Sequence, residues 1–160
     1  MKTIEIKIIM KIIRTNSENK DFINLVKKLD AYLKIIDGKE HSFYNQYNNI
    51  DVLKNVVLIY VDDVAVGCGA IKKFDEFSME VKRMYVSTEK RNQGIAQKAL
   101  LALETWAKEL GYKKCILETG KRQIEAVQFY KKCTYKVIPN YGQYATIENS
   151  ICFQKTLKTT

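Results

Sequence analysis

The sequence predicts an α/β (α+β) chain built on a mixed, twisted central sheet of six to seven strands flanked by about four helices. Three observations point there. Apolar runs of strand length alternate with segments whose apolar residues recur at helical spacing. A two-residue acidic link, Asp62-Asp63, joins two of the apolar runs and signals a β-hairpin. With 46% hydrophobic residues in 160, a single proline and no low-complexity block, the chain can bury one sizeable core and has no linker to divide it. A single domain over residues 1–160 is therefore expected.

Residues 3–13 read as the first strand, with Ile4, Ile6 and Ile8 alternating. Phe22, Leu25, Val26, Leu29, Leu33 and Ile36 share one helical face, giving a helix over about 19–36 that Asp37-Gly38 ends. Residues 39–50, polar and aromatic, are a candidate short second helix. Residues 56–61 and 64–71 form the hairpin, and 79–86 the next strand. After Gly94, the residues Ile95, Ala99, Leu103, Trp106 and Leu110 line one face of a helix that Gly111 stops. Residues 115–118 read as a strand, 123–132 as a helix, and 135–138 and 150–157 as closing strands. The order is β-α-(α)-β-β-β-α-β-α-β-β. Pairing is expected to be antiparallel in the hairpin section and parallel where a helix crosses between strands.

Several function classes recede. Lys and Glu interrupt every apolar run of the first 13 residues, so no signal peptide or membrane span is expected there, and a cytoplasmic protein with no membrane partner follows. Met10 is an alternative start. Four cysteines (68, 115, 133 and 152) and one histidine, with no Cys-x-x-Cys pair, offer no metal site and no disulfide framework. Cys68, Cys115 and Cys152 lie in apolar strand segments as small core residues. The net charge of +9 suits a polyanionic partner, but the basic residues are spread along the chain in no single run, so a solvated lysine-rich surface accounts for most of it and no nucleic-acid partner is expected.

The most informative stretch is residues 79–112, a strand, a glycine-bearing loop and a helix. Arg91-Asn92-Gln93-Gly94-Ile95-Ala96 stands where the helix begins, and a helix start carries unpaired N–H groups and the positive end of the dipole. Gly94 and the small Ala96 would let a phosphate approach the backbone. This arrangement resembles the acyl-CoA signature Gln/Arg-x-x-Gly-x-Gly/Ala of the GNAT superfamily of N-acyltransferases. Residues 123–135, from Gln123 through Ala126, Phe129 and Tyr130 to Tyr135, resemble that superfamily's C-terminal motif, Asn-x-x-Ala-x-x-Phe/Leu-Tyr-x-x-x-Gly-Phe/Tyr. The order of elements is similar to the GNAT fold across nearly the whole chain.

The resemblance implies acetyl-CoA as co-substrate, with no metal, and direct transfer of its acetyl group to a primary amine. Coenzyme A contacts would come from Met84, Tyr85 and Val86, from Arg91, Asn92, Gln93, Gly94, Ile95, Ala96 and Gln97, and from Gln123, Ala126, Phe129 and Lys132. Tyr130 would protonate the leaving sulfur, the alternative being an ordinary core aromatic beside Phe129. The chain departs from the motif twice. Gln123 replaces Asn, and Thr134 stands where Gly is usual, at a position expected to be left-handed and so poorly suited to a β-branched residue.

Strand alternation puts Glu80, Lys82, Met84 and Val86 on one face and Val81, Arg83 and Tyr85 on the other. Glu80 is the first candidate for general base, its alternative being a rim carboxylate paired with lysine, and Glu118 is its rival. Candidate acceptor contacts are Asp30, His41, Tyr44, Arg83, Glu118, Tyr141 and Tyr144. Acidic groups such as Asp30 would orient a cationic substrate, whereas Arg83 would favour a carboxylate. His41 equally suits a helix cap or a packed side chain. A small-molecule amine is the expected acceptor, with a protein or peptide amine as the second choice. A non-catalytic module binding coenzyme A or RNA is the reading from a different class. Homodimers are frequent in the superfamily, which leaves that state open here.

Overall fold

The computed structural model describes residues 2–4, 8–38 and 53–158. Among them one seven-stranded sheet runs in the order β1-β2-β3-β4-β5-β7-β6. The strands are β1 (Met10–Thr15), β2 (Asn55–Val61), β3 (Val64–Lys73), β4 (Ser78–Val86), β5 (Lys114–Gly120), β6 (Lys136–Ile138) and β7 (Ser150–Thr156). The helices are α1 (Lys20–Asp37), α2 (Ile95–Glu109) and α3 (Ile124–Lys132). The expected second helix at 39–50 lies outside the described residues.

Burial on β2 shows how the sequence splits the core between two faces. Val56 and Leu58 pack with Phe22, Leu25 and Val26 of α1, while Val57, Ile59 and Val61 pack with Ile95, Ala99, Leu100 and Leu103 of α2. Asn19 starts α1 by accepting hydrogen bonds from the Asp21 and Phe22 N–H groups. The Asp62-Asp63 link is a tight hairpin turn with φ of 49° and 66°, the paired left-handed conformation that matches strand twist and that Asp tolerates better than most residues.

The first strand departs from the expected 3–13. Its length is set by its partner, with Met10 opposite Val61 and Thr15 opposite Val56. Among the described residues, Ile4 and Ile8 are exposed and belong to no strand.

The two helix ends near the site use the same device with different residues. After α2, the Tyr112 N–H donates to the Ala107 carbonyl and the Gly111 N–H to Lys108, with Gly111 at φ 92°. After α3, the Tyr135 N–H donates to Tyr130 and the Thr134 N–H to Lys131, with Thr134 at φ 71°. Both are Schellman closures needing a left-handed residue, which glycine takes freely and β-branched threonine takes under strain. Thr134→Gly is therefore expected to raise stability by about 1 kcal/mol, about 2–4 °C in Tm for a chain of this size. Thermal denaturation of the two proteins checks it.

Strand β4 carries the feature that makes room for a site. It pairs in parallel with β5 only from Ser78 to Glu80, opposite Lys114 to Ile116, and then the strands part. On its other edge, Cys68 faces Tyr85 and Ala70 faces Lys82, so Arg83 and Met84 together oppose the single Gly69. Arg83 sits at φ 59°, the extra residue of a β-bulge. Gly69 leaves room there, because a Cβ on it would lie 2.4 Å from the Met84 sulfur and 2.8 Å from Leu103 Cδ1, and those side chains would have to shift. The bulge corrects the expected alternation. Val81, Met84 and Val86 pack on the α2 face, while Tyr85 packs with the α1 cluster and Arg83 reaches Asp30 of α1.

Candidate active site

The parting of β4 and β5 opens two cavities that meet. The larger is a groove of about 570 Å³ running between the β4 end, the α2 start and α3. Met84, Tyr85, Val86, Arg91, Asn92, Gly94, Ile95, Ala96, Gln97, Gln123, Ala126, Phe129 and Lys132 all line it. Of the expected coenzyme A contacts only Gln93 stays outside that wall.

Gly94 precedes α2 at φ 78°, and a Cβ built on it meets nothing within 4 Å. No side chain caps the helix start and no acidic residue occupies its first turn, so the N–H groups there and the dipole's positive end remain available to an anion. Lys90, Arg91 and Lys132 add positive charge to the same groove. Arg91 is held in place by its Nε, which donates to the Val86 carbonyl at 3.0 Å, and by the rings of Tyr32 and Tyr85, 5.4 and 5.6 Å from its guanidinium. The donor set thus fits a polyphosphate: backbone N–H groups, a glycine that leaves the approach clear, and fixed cations.

The smaller cavity, about 130 Å³, lies between β4, β5, α1 and α3. Glu80, Arg83, Glu118 and Tyr144 line it as expected, together with Leu33, Asp37, Lys82 and Thr119. Leu29, Met84, Gln123, Ala126 and Tyr130 line both cavities and form their junction. Asp30 and Tyr141 stand behind the wall. Asp30 Oδ1 is 2.7 Å from Arg83 Nη1, and the Tyr141 hydroxyl donates to Glu80 Oε2 at 2.5 Å. The expected contacts His41 and Tyr44 lie outside the described residues.

Electrostatics separate the titratable groups. Tyr130 is buried, and burial with the nearby Cys133 pushes its hydroxyl well above the ordinary tyrosine range, so it keeps its proton at neutral pH. Burial pushes the Glu118 carboxyl up to about 8. The charges of Asp37 and Glu80 push it the same way, against a hydrogen bond with Ser150 and the Lys82 ammonium. Glu80 is buried with both oxygens engaged, one by Tyr141 and the other 3.5 Å from Lys82 Nζ. The Cys133 thiol lines the groove, but burial raises it too, so it is a poor nucleophile.

Thr119 escaped the sequence reading. It is 5% exposed, and its Oγ1 has no hydrogen-bond partner among the described residues. Nothing in its local pattern marks that hydroxyl.

Residues 23–135, more than half of the chain, match the family described as acetyltransferase (GNAT). The chain belongs to the acetyltransferase (GNAT) family. Its relatives include an IAA acetyltransferase of Azospirillum brasilense, 28% identical over 140 residues, which are 84% of this chain and 90% of that protein. A crystal structure described as an acyl-CoA N-acyltransferase, from Klebsiella pneumoniae, is 27% identical with a TM-score of 0.78, over 93% of this chain and 98% of the other. The GNAT structure from Elizabethkingia anophelis with acetyl-CoA bound shares the fold at 18% identity, with a TM-score of 0.66 over 92% of this chain and 98% of its own. The matches to two other curated relatives, both N-acetyltransferases by name, span 45% and 64% of their lengths. GNAT enzymes take acetyl-CoA as co-substrate, and among the described residues no group of side chains could hold a metal ion. No helix among them is long and apolar enough to cross a membrane.

Proposed function

We propose that this GNAT chain transfers the acetyl group of acetyl-CoA directly to the primary amine of a small molecule, with Tyr130 as general acid and Glu118 as general base. The observation that supports this reading is that Tyr130 is among the residues lining both cavities where they meet. The groove suits a pyrophosphate at the α2 start and a pantetheine arm along the free edge of β4. Met84, Tyr85 and Val86 line that groove, and their N–H groups would serve a thioester oxygen as it gathers charge. The smaller cavity would present the amine from the opposite side, and its volume of about 130 Å³ suits a small acceptor.

An alkyl ammonium with a pKa of about 10.4 must lose a proton before it attacks. Ionised Glu118 takes that proton. The nitrogen lone pair then attacks the thioester carbonyl carbon, the C–N bond forms and the C–S bond breaks. The electron pair leaves on sulfur, and the Tyr130 hydroxyl proton goes to it. Amide and coenzyme A thiol depart, Glu118 releases its proton to solvent, and Tyr130 regains one.

Glu80 is the first candidate from sequence, with Glu118 as its rival. Two features favour Glu118: a proton affinity near the working pH, and the engagement of Glu80 by Tyr141 and Lys82. Glu80 then serves to hold Tyr141 beside the cavity. Initial-velocity measurement of thiol release, varying acetyl-CoA and amine together, tests the reading. Intersecting double-reciprocal lines are expected. Parallel lines would show an acetyl-enzyme and overturn direct transfer, and thiol release independent of every amine would overturn the activity.

A further inference from the structure

We propose that the acceptor is a small alkylammonium carrying no carboxylate, selected because Asp30 and Glu80 already engage the two cations of the cavity wall, Arg83 and Lys82, and because Glu118 receives the ammonium. This rests on the acetyl-transfer reading above and names the substrate class for the same site.

The cavity wall contains two cationic side chains, Lys82 and Arg83, and each already has an anionic partner. Arg83 Nη1 lies 2.7 Å from Asp30 Oδ1 with its side chain 4% exposed. Lys82 Nζ lies 3.5 Å from Glu80 Oε1 with its side chain 7% exposed. A substrate carboxylate would therefore enter a space whose positive charges are committed and whose wall also holds Asp37 and Glu80. Taking a carboxylate out of water without a counter-charge is strongly unfavourable.

An ammonium meets the opposite situation. It enters a wall lined by Asp37, Glu80 and Glu118, the last of which takes its proton. Leu29, Leu33, Val81 and Ala126 supply apolar wall for a short carbon chain. Carboxyl groups and apolar wall together describe an alkyl chain ending in an ammonium.

The test compares matched acceptors at saturating acetyl-CoA: 3-methylbutylamine with leucine, and 2-phenylethylamine with phenylalanine. Each pair differs only by the carboxylate. For the better pair, kcat/KM is expected to favour the amine on the order of a hundredfold. Asp30→Asn releases the Arg83 charge, so that ratio should narrow about tenfold, mainly through a lower KM for the amino acid. Equal or better use of the amino acids would overturn the inference. So would failure to turn over any of these acceptors by a protein that acetyl-CoA stabilises against heat, and that result would leave acetyl transfer standing. A well-folded protein that acetyl-CoA does not stabilise would remove the acetyl-transfer reading itself, and this inference with it.

Discussion

Replacing Tyr130 with phenylalanine is expected to lower kcat by about 10²–10⁴-fold while leaving acetyl-CoA affinity nearly unchanged. Phenylalanine keeps the ring contacts with Phe129, Tyr135 and Phe153, whose centroids lie 5.1, 5.8 and 6.1 Å away. It removes only the hydroxyl, so Tm should move little. A purely structural Tyr130 predicts the reverse, a normal rate with at most a change in stability. Pre-steady-state thiol release and a thermal scan on the same preparation separate the two. If kcat stays within about threefold of the parent, well short of the loss expected for a general acid, Tyr130 is not the proton donor.

Glu118→Gln is expected to lower kcat/KM by a similar factor of about 10²–10⁴ and to change the pH profile. In the parent, Glu118 must be ionised to act, so kcat/KM should rise with pH through about 8. The amide variant should lose that limb. The same group makes a separable prediction for stability. Its folded-state value of about 8 lies above the ordinary 4.5, so between these the folded protein holds a proton that the unfolded chain has released. The contribution is fully present below about 4.5 and is lost as pH rises through about 8. The Tm of the parent relative to Glu118→Gln should therefore fall from acid to alkaline pH. A pH-independent Tm difference, with the ascending rate limb still present in the variant, would return the base role to Glu80 or to water.

The parts of this molecule that were legible in sequence are those whose chemistry is local. Gly94 at a helix start, the Asp62-Asp63 turn and the helical spacing after Gly94 each state their geometry within a few residues. Even the misfit at Thr134 was readable, since the closure of α3 needs a left-handed residue whatever occupies the place. What was not legible depends on partners distant in sequence. The bulge at Arg83 is fixed by Gly69 on the neighbouring strand, and it turns Met84 to the α2 face against simple alternation. The Arg83–Asp30 pair joins residues on different elements, and it replaces two expectations of opposite sign, a carboxylate receptor and a cation receptor, by one neutral pair. The extent of β1 was set by β2, not by its own isoleucines.

The central claim is that acetyl-CoA occupies the groove at the start of α2. Thermal denaturation with and without acetyl-CoA tests it most directly, on the parent, on Gly94→Glu and on Gly94→Asn. At 100 times its dissociation constant the ligand should stabilise the parent by about 2.7 kcal/mol, about 5–10 °C. Asparagine tolerates the left-handed backbone at φ 78° and should keep most of the shift. Glutamate puts a negative charge where the phosphates would lie and should abolish the shift in a protein that still unfolds cooperatively. An equal shift in all three proteins, or none in a well-folded parent, would contradict the claim.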